Sequence, residues 1–226
     1  MTNHDPLATL DAVVARRNVL EHPFYRAWNR GDLTLEALRD YAAQYYHHVA
    51  AFPTYLSAIH AQLDDAPTRR VILENLVDEE GSDPTHPELW LRFAEGLGVE
   101  RQAVQAGARW AETDALVAAF RGACSSGAPA DGLAALWAYE SQQPAVAATK
   151  IDGLRRHYGV DDPRTLAYFT VHEAADVVHA ADERRLLADL SPEEAPRAAA
   201  AADQALGALW DLLSAVCERH AIACDD

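Results

Sequence analysis

The chain has 226 residues, half of them hydrophobic and 24% charged, the balance of a globular domain able to bury a sizeable core. Its formal net charge of −16 repels phosphate backbones and anionic lipid, which speaks against nucleic-acid binding and membrane attachment. No apolar run approaches the roughly 18 residues of a membrane span, "MTNHDPLATLD" lacks a signal-peptide pattern, and Cys124, Cys217 and Cys224 show no CxxC spacing, so a cytoplasmic protein with free thiols is expected.

Helical periodicity covers roughly 6–21, 22–29, 34–62, 67–80, 86–96, 100–122, 130–158, 163–188 and 192–221, and some of these segments are expected to merge. No stretch sustains the period-two pattern of a strand. The breaks are short and turn-forming: "RGDLT", "DDAPT", "SSGAPADG", "YGVDDPRT" and "DLSPEEAP". One all-α domain, 1–226, is the expectation.

The helix over 34–62 carries Tyr41, Tyr45, His48, Phe52 and Tyr55 at spacings that keep them on one face. Such a stripe packs a core. Four of its members also carry polar tips that need partners when buried, so the face can line a polar cavity. Pro53 frees the carbonyl of Val49 and is expected to bend this helix.

In "ENLVDEEGSDPTHPELW" (74–90) a helix ends near Gly81 and another begins. Thr85 and Glu88 form a T-x-x-E capping pair, which puts His86 in a first turn facing back toward Glu79 and Glu80. Periodicity does not choose between these two glutamates. Further on, Glu140 shares a face with Leu133, Leu136 and Trp137, where an unpaired carboxylate needs a cation or a proton. Pro144 cannot supply the N–H that would bond the Glu140 carbonyl, so the backbone is loosened at the carboxylate. The same segment ends in Lys150, the single lysine beside 18 arginines.

"HEAADVVHAADE" (172–183) is the strongest chemical signal. His172, Asp176 and His179 stand at i, i+4 and i+7, about 0°, 40° and −20° around a helix, so three metal-type ligands share a face. Asp182 and Glu183 are placed off that face. Together with one glutamate of the 79/80 pair, His86 and Glu140, these make three carboxylates and three imidazoles drawn from several helices. That is the composition of a carboxylate-bridged dimetal site in a helical bundle. Oxygen and imidazole ligands suit iron or manganese, and two such ions with open positions can bind and reduce O2.

Four blocks carry a resemblance: "EHPFYRAWNRGDLTLEALRDYAAQYYHHVAAFPTYLSAIHA" (21–61), "LVDEEGSDPTHPELW" (76–90), "YESQQPAVAATKIDGL" (139–154) and "AYFTVHEAADVVHA" (167–180). Through them nearly the whole chain resembles the haem-oxygenase-like dimetal oxidases, in the group typified by Chlamydia protein associating with death domains. The resemblance implies a haem-free bundle of about seven helices. It implies metal ligation by Glu79, His86, Glu140, His172, Asp176 and His179, which settles the 79/80 tie. The cofactors it implies are two divalent ions, iron and/or manganese, with O2 as co-substrate and an external reductant. It also implies p-aminobenzoate synthesis for folate metabolism, with Tyr25 as ring source and Lys150 as nitrogen donor; Tyr41, Tyr139 and Tyr168 are candidates to relay oxidation. Arginine cannot replace lysine as a donor, because its guanidinium stays protonated.

Three other readings compete. A dimetal oxidase of a free fatty-acid or amino-acid substrate would need a vacant tunnel between helices. A non-enzymatic partner of death-domain-type proteins would not need a complete ligand set. A thiaminase-like enzyme would need a placed cysteine, and Cys124 reads as a loop residue while Cys217 and Cys224 are terminal. Expected partners are an electron donor and a second copy of the chain in a homodimer.

Overall fold

The computed structural model describes residues 5–223. Among these residues there are eleven α-helices and no strand. They are α1 (Pro6–Arg16), α2 (Pro23–Arg30), α3 (Leu35–His60), α4 (Ala66–Glu80), α5 (His86–Gly96), α6 (Arg101–Ala106), α7 (Ala111–Cys124), α8 (Pro129–Glu140), α9 (Gln143–Tyr158), α10 (Pro163–Leu187) and α11 (Glu194–Arg219), with a 3-10 turn at Val19–Glu21. None of them is long and apolar enough to cross a membrane.

The starts follow local chemistry. Asp5, Thr34, Asp65, Thr85 and Asp162 each accept a hydrogen bond from a backbone N–H of the first turn they cap. Proline stands in the first two positions of α1, α2, α4, α5, α8, α9 and α10, where its missing N–H costs nothing. Helices α2 and α9 end on Gly31 and Gly159 in the left-handed conformation, φ 74° and 67°.

The expected bundle of about seven helices is corrected. The predicted segments did not merge, and two of them split. Around 107–110 the chain leaves the helix because the Gln44 side chain captures it: Gln44 Nε2 donates to Ala108 O at 3.0 Å while Gln44 Oε1 accepts from Trp110 N at 2.9 Å. That separates α6 from α7. Between Glu140 and Gln143 the amide of Pro144 has no proton to give, and Gln142 bridges the gap, donating to Ala138 O and accepting from Val19 N. That separates α8 from α9. Cys124, expected in a loop, is the buried last residue of α7 and its thiol is free; Cys217 is also buried, and Cys224 lies outside the described residues.

Helix α11 packs on α8, α7 and α1; α10 packs on α9, α5 and α8; α3 packs on α4, α5 and α7. The aromatic stripe of α3 is buried throughout, from Tyr41 to Tyr55, and α3 runs through Pro53 without interruption. Helix α9 reaches α2 closely at Gly153, where an added Cβ would stand 2.4 Å from Trp28 Nε1. Trp28 is a rigid, fully buried ring that cannot step aside. Gly153→Ala is therefore expected to lower stability by about 1–3 kcal/mol, overriding the roughly 1 kcal/mol that alanine gains in helix propensity. Urea unfolding checks this, and a variant as stable as the parent would refute the tight approach.

Candidate metal centre

The face of α10 predicted to carry ligands is turned inward: His172, Asp176 and His179 are 6%, 1% and 7% exposed. Glu79 near the end of α4 is buried while Glu80 is exposed. His86 opens α5 behind the Thr85 cap, whose hydroxyl accepts from Glu88 N at 3.3 Å. Its Nδ1 stands 3.0 Å from Glu79 Oε1. Glu140 is the buried last residue of α8.

The six residues form two groups. Ligand atoms of Glu79, His86 and His172 lie within 4.8 Å of one another, as do those of Glu140, Asp176 and His179. The imidazoles are aimed by their outer nitrogens. His172 Nδ1 sits 2.7 Å from the Tyr168 carbonyl, which leaves Nε2 toward Glu79 at 3.7 Å. His179 Nε2 sits 3.0 Å from Asp78 Oδ2, which leaves Nδ1 3.7 Å from Glu140 and 3.8 Å from Asp176. Fixing one ring nitrogen so that the other can ligate is the usual support of a metal-bound histidine.

Inward atoms lack hydrogen-bond partners: both oxygens of Asp176 and His179 Nδ1. Buried polar atoms in this condition are costly unless something binds them. The charges ask for the same thing. Burial disfavours an ionised Glu79, yet His172 and His86 outweigh it and bring its pKa down to about 2. Burial disfavours a charged His172, yet Asp176 and Glu79 bring it up to about 9. His179 is raised to about 11 against the same burial penalty by Asp176 and Glu140. Carboxylates that hold protons on imidazoles this strongly are a site for cations, and a metal ion would displace those protons.

Sequence reasoning missed several members. Glu183 is not off the ligand face: eleven residues beyond His172 is three turns and only about 20°, and the side chain is 1% exposed. Burial and then the charge of Glu140 push its carboxyl well above the usual range. Asn75 of α4 donates to Glu140 Oε1 at 3.0 Å, and Asp78 supplies the partner of His179.

A second cluster adjoins the first. Lys150 is 1% exposed, donates to the Tyr41 hydroxyl at 2.6 Å, and lies 5.0–5.7 Å from the ring centres of Tyr25, Tyr41, Tyr45, Trp90 and Phe169. Burial alone pulls its amine down to about 7. Its tip ends in this aromatic box and not at the ligand groups. Tyr25 is 3% exposed and its hydroxyl is within hydrogen-bonding reach of Tyr41. The Tyr41 and Tyr45 rings are 5.2 Å apart, and the Tyr45 and Tyr139 hydroxyls are 2.8 Å apart. Tyr168 stacks on His172 at 4.0 Å. Phenols thus run from Tyr25 to the ligands, with Tyr45 as the member the sequence reading left out.

The cavity between the groups, lined by Phe52, Tyr139, Tyr168 and four of the ligands among others, holds only about 10 Å³. That is space for about one water-sized molecule. A groove of about 590 Å³ approaches His86 from outside along Leu89, Ala167, Val171 and Ala175.

Comparison with known proteins agrees with this arrangement. The family described as iron-containing redox enzyme matches residues 39–212. A 4-aminobenzoate synthase of Chlamydia muridarum is 42% identical over 94% of this chain and 90% of its own length. One from Nitrosomonas europaea is 40% identical over 93% of this chain and 90% of its own. The crystal structure of a CADD-like protein of unknown function from Nostoc punctiforme superposes with a TM-score of 0.74, at 17% identity, over 95% of this chain and 99% of that one. With an all-helical haem-oxygenase-like fold, paired ligand groups and relatives of this closeness, the chain belongs to the iron-containing redox enzymes, in the branch that includes the CADD-like 4-aminobenzoate synthases.

Proposed function

We propose that the chain makes 4-aminobenzoate from its own side chains, with Tyr25 as the source of the ring and Lys150 as the source of the nitrogen. Its relatives' activity supports the product. The observation that carries the choice of residues is the sealed box in which the chain's single lysine contacts Tyr41 and stands 5.7 Å from the ring centre of Tyr25. Glu79, His86 and His172 would hold one divalent iron or manganese ion and Glu140, Asp176 and His179 the other. Bound there, the ions supply O2 activation, with reducing equivalents from an external donor.

The residues do the rest. The ring and Cβ of Tyr25 contain every carbon of the product, and the phenolic oxygen stands where the amine must go. The Cα–Cβ bond breaks and Cβ is oxidised to the carboxyl, with O2 as oxidant. Lys150 must attack the oxygen-bearing carbon of the oxidised ring as a neutral amine, and burial brings it to about 7, so a large share is neutral near physiological pH. The ring oxygen leaves as water, Cε returns two electrons to the oxidised ring to form an imine, and hydrolysis of that imine breaks the Cε–Nζ bond and leaves an aldehyde at residue 150. Tyr41 holds the amine, while Tyr45, Tyr139 and Tyr168 join Tyr25 to the ligands and can pass an electron and a proton along the chain of phenols. The space of about 10 Å³ at the ligands excludes bulk water and any aromatic guest.

A single lysine makes the test clean. Enzyme grown on lysine labelled with ¹⁵N at Nζ is expected to pass the label into 4-aminobenzoate and to lose it from residue 150. Unlabelled product at normal yield would end the donor role. The groove at His86 favours one other reading, oxidation of a free substrate. That reading requires many turnovers per chain with residue 150 intact.

A further inference from the structure

Glu183 has no part in the scheme above, yet its surroundings are unusual. It is 1% exposed, and neither carboxylate oxygen has a hydrogen-bond partner. Glu140 lies within hydrogen-bonding reach, and Asp176 adds to the same negative field. The nearby donors are spent elsewhere. Asn75 gives its amide to Glu140, Arg184 turns outward to Asp11, and Arg185 pairs with Asp182. Two buried carboxylates face each other with no other donor between them, an arrangement that needs a shared proton or a cation.

Position on the helix makes the same point. Glu183 follows His179 by one turn, so α10 offers residues 172, 176, 179 and 183 along one inward stripe. Glu183 and His179 also line a cavity of about 110 Å³ bounded by Asn75, Asp78 and Asp182, which gives a small cation a route in from the acidic rim. The charge count is the third point. Glu79, Glu140 and Asp176 are three carboxylates set against two divalent ions, which leaves one positive charge uncompensated in a buried site. A fourth carboxylate brings the site to neutrality.

We propose that Glu183 is a protein ligand of the second cation, alongside Glu140, Asp176 and His179. The proposal rests on the dimetal reading. The first cation then has one carboxylate and two imidazoles, and the second has three carboxylates and one imidazole. The two positions differ in hardness, and the second is the more oxygen-rich.

The test is a titration of metal-free protein with Mn²⁺ under anaerobic conditions, following free Mn²⁺ by its electron paramagnetic resonance. The parent is expected to take up two equivalents. Glu183→Gln is expected to keep the first at parental affinity and to bind the second at least about tenfold more weakly. Glu183→Asp keeps the charge but draws the oxygens back by one methylene, and should fall between. Thermal unfolding of the metal-free proteins separates ligand loss from misfolding: Glu183→Gln removes an unpaired buried carboxylate, so it should melt no lower than the parent. Two equivalents at parental affinity in both variants would overturn the assignment of Glu183 and leave the dimetal reading standing. Fewer than two equivalents in the parent would overturn both.

Discussion

Tyr25→Phe is expected to fold, to bind metal and to release no 4-aminobenzoate. The substitution removes one hydroxyl from a ring that stays 5.7 Å from Lys150 Nζ, so packing against Phe24 is retained. Losing the contact with Tyr41 should cost no more than about 1.5 kcal/mol of stability. Product formation should fall by more than about 10⁴-fold, beyond the roughly 10²–10⁴-fold that loss of a proton-transfer partner alone costs. Enzyme containing ring-labelled tyrosine should pass the label to the product, never exceeding one equivalent per chain, and spent protein should carry a lesion at residue 25. Catalytic turnover beyond one equivalent from an added small molecule, with residue 25 intact, would refute the self-derived ring.

Lys150→Met should abolish product and raise stability. Burial lowers the lysine pKa from 10.5 to about 7 in the folded chain. Between those values the unfolded chain binds a proton that the native one does not, so stability falls as pH falls from about 10.5 toward 7 and levels off below. The penalty at neutral pH and below is on the order of 4 kcal/mol at 1.36 kcal/mol per unit. Methionine fills the same space without a charge and escapes that penalty, giving up about 1 kcal/mol for the hydrogen bond to Tyr41. Urea unfolding across pH 7–10 is the measurement: the parent profile should slope and the variant profile lie flatter and higher at pH 7. Parallel profiles would mean that Lys150 is protonated in the fold. Arginine would be a poorer probe, since it imposes a permanent charge on the aromatic box.

What the sequence revealed of this site follows from which signals are local. His172, Asp176 and His179 are related by helix geometry alone, and the structure keeps them on one buried face. The Thr85 cap placed His86 correctly for the same reason. Glu183 was equally legible at about 20° from His172, and placing it off the ligand face overlooked that i+11 returns to that face. Glu79 and Glu80 could not be separated, because both lie near apolar neighbours on α4 and only the packing against α3 and α5 buries one of them. The helix breaks divide similarly. Pro144 marked a loosened backbone at Glu140, though the segment was expected to continue as one helix, and the break before α7 depends on Gln44, more than sixty residues away, capturing Ala108 and Trp110. The partnership of Asn75 with Glu140 and of Asp78 with His179 is tertiary and has no sequence signature.

The completeness with which Tyr25 is enclosed bears on the fate of the spent protein. If the ring leaves, the core between α2 and α3 is left with a hole where an aromatic side chain was packed against Phe24 and Tyr41. Truncating a buried aromatic costs about 3–5 kcal/mol, a large part of the roughly 5–15 kcal/mol that holds a domain together. The chain that has reacted is thus a poorer native protein than the chain that has not. A cell's proteases, which sample the opened state, would clear used copies ahead of unused ones without needing any separate mark.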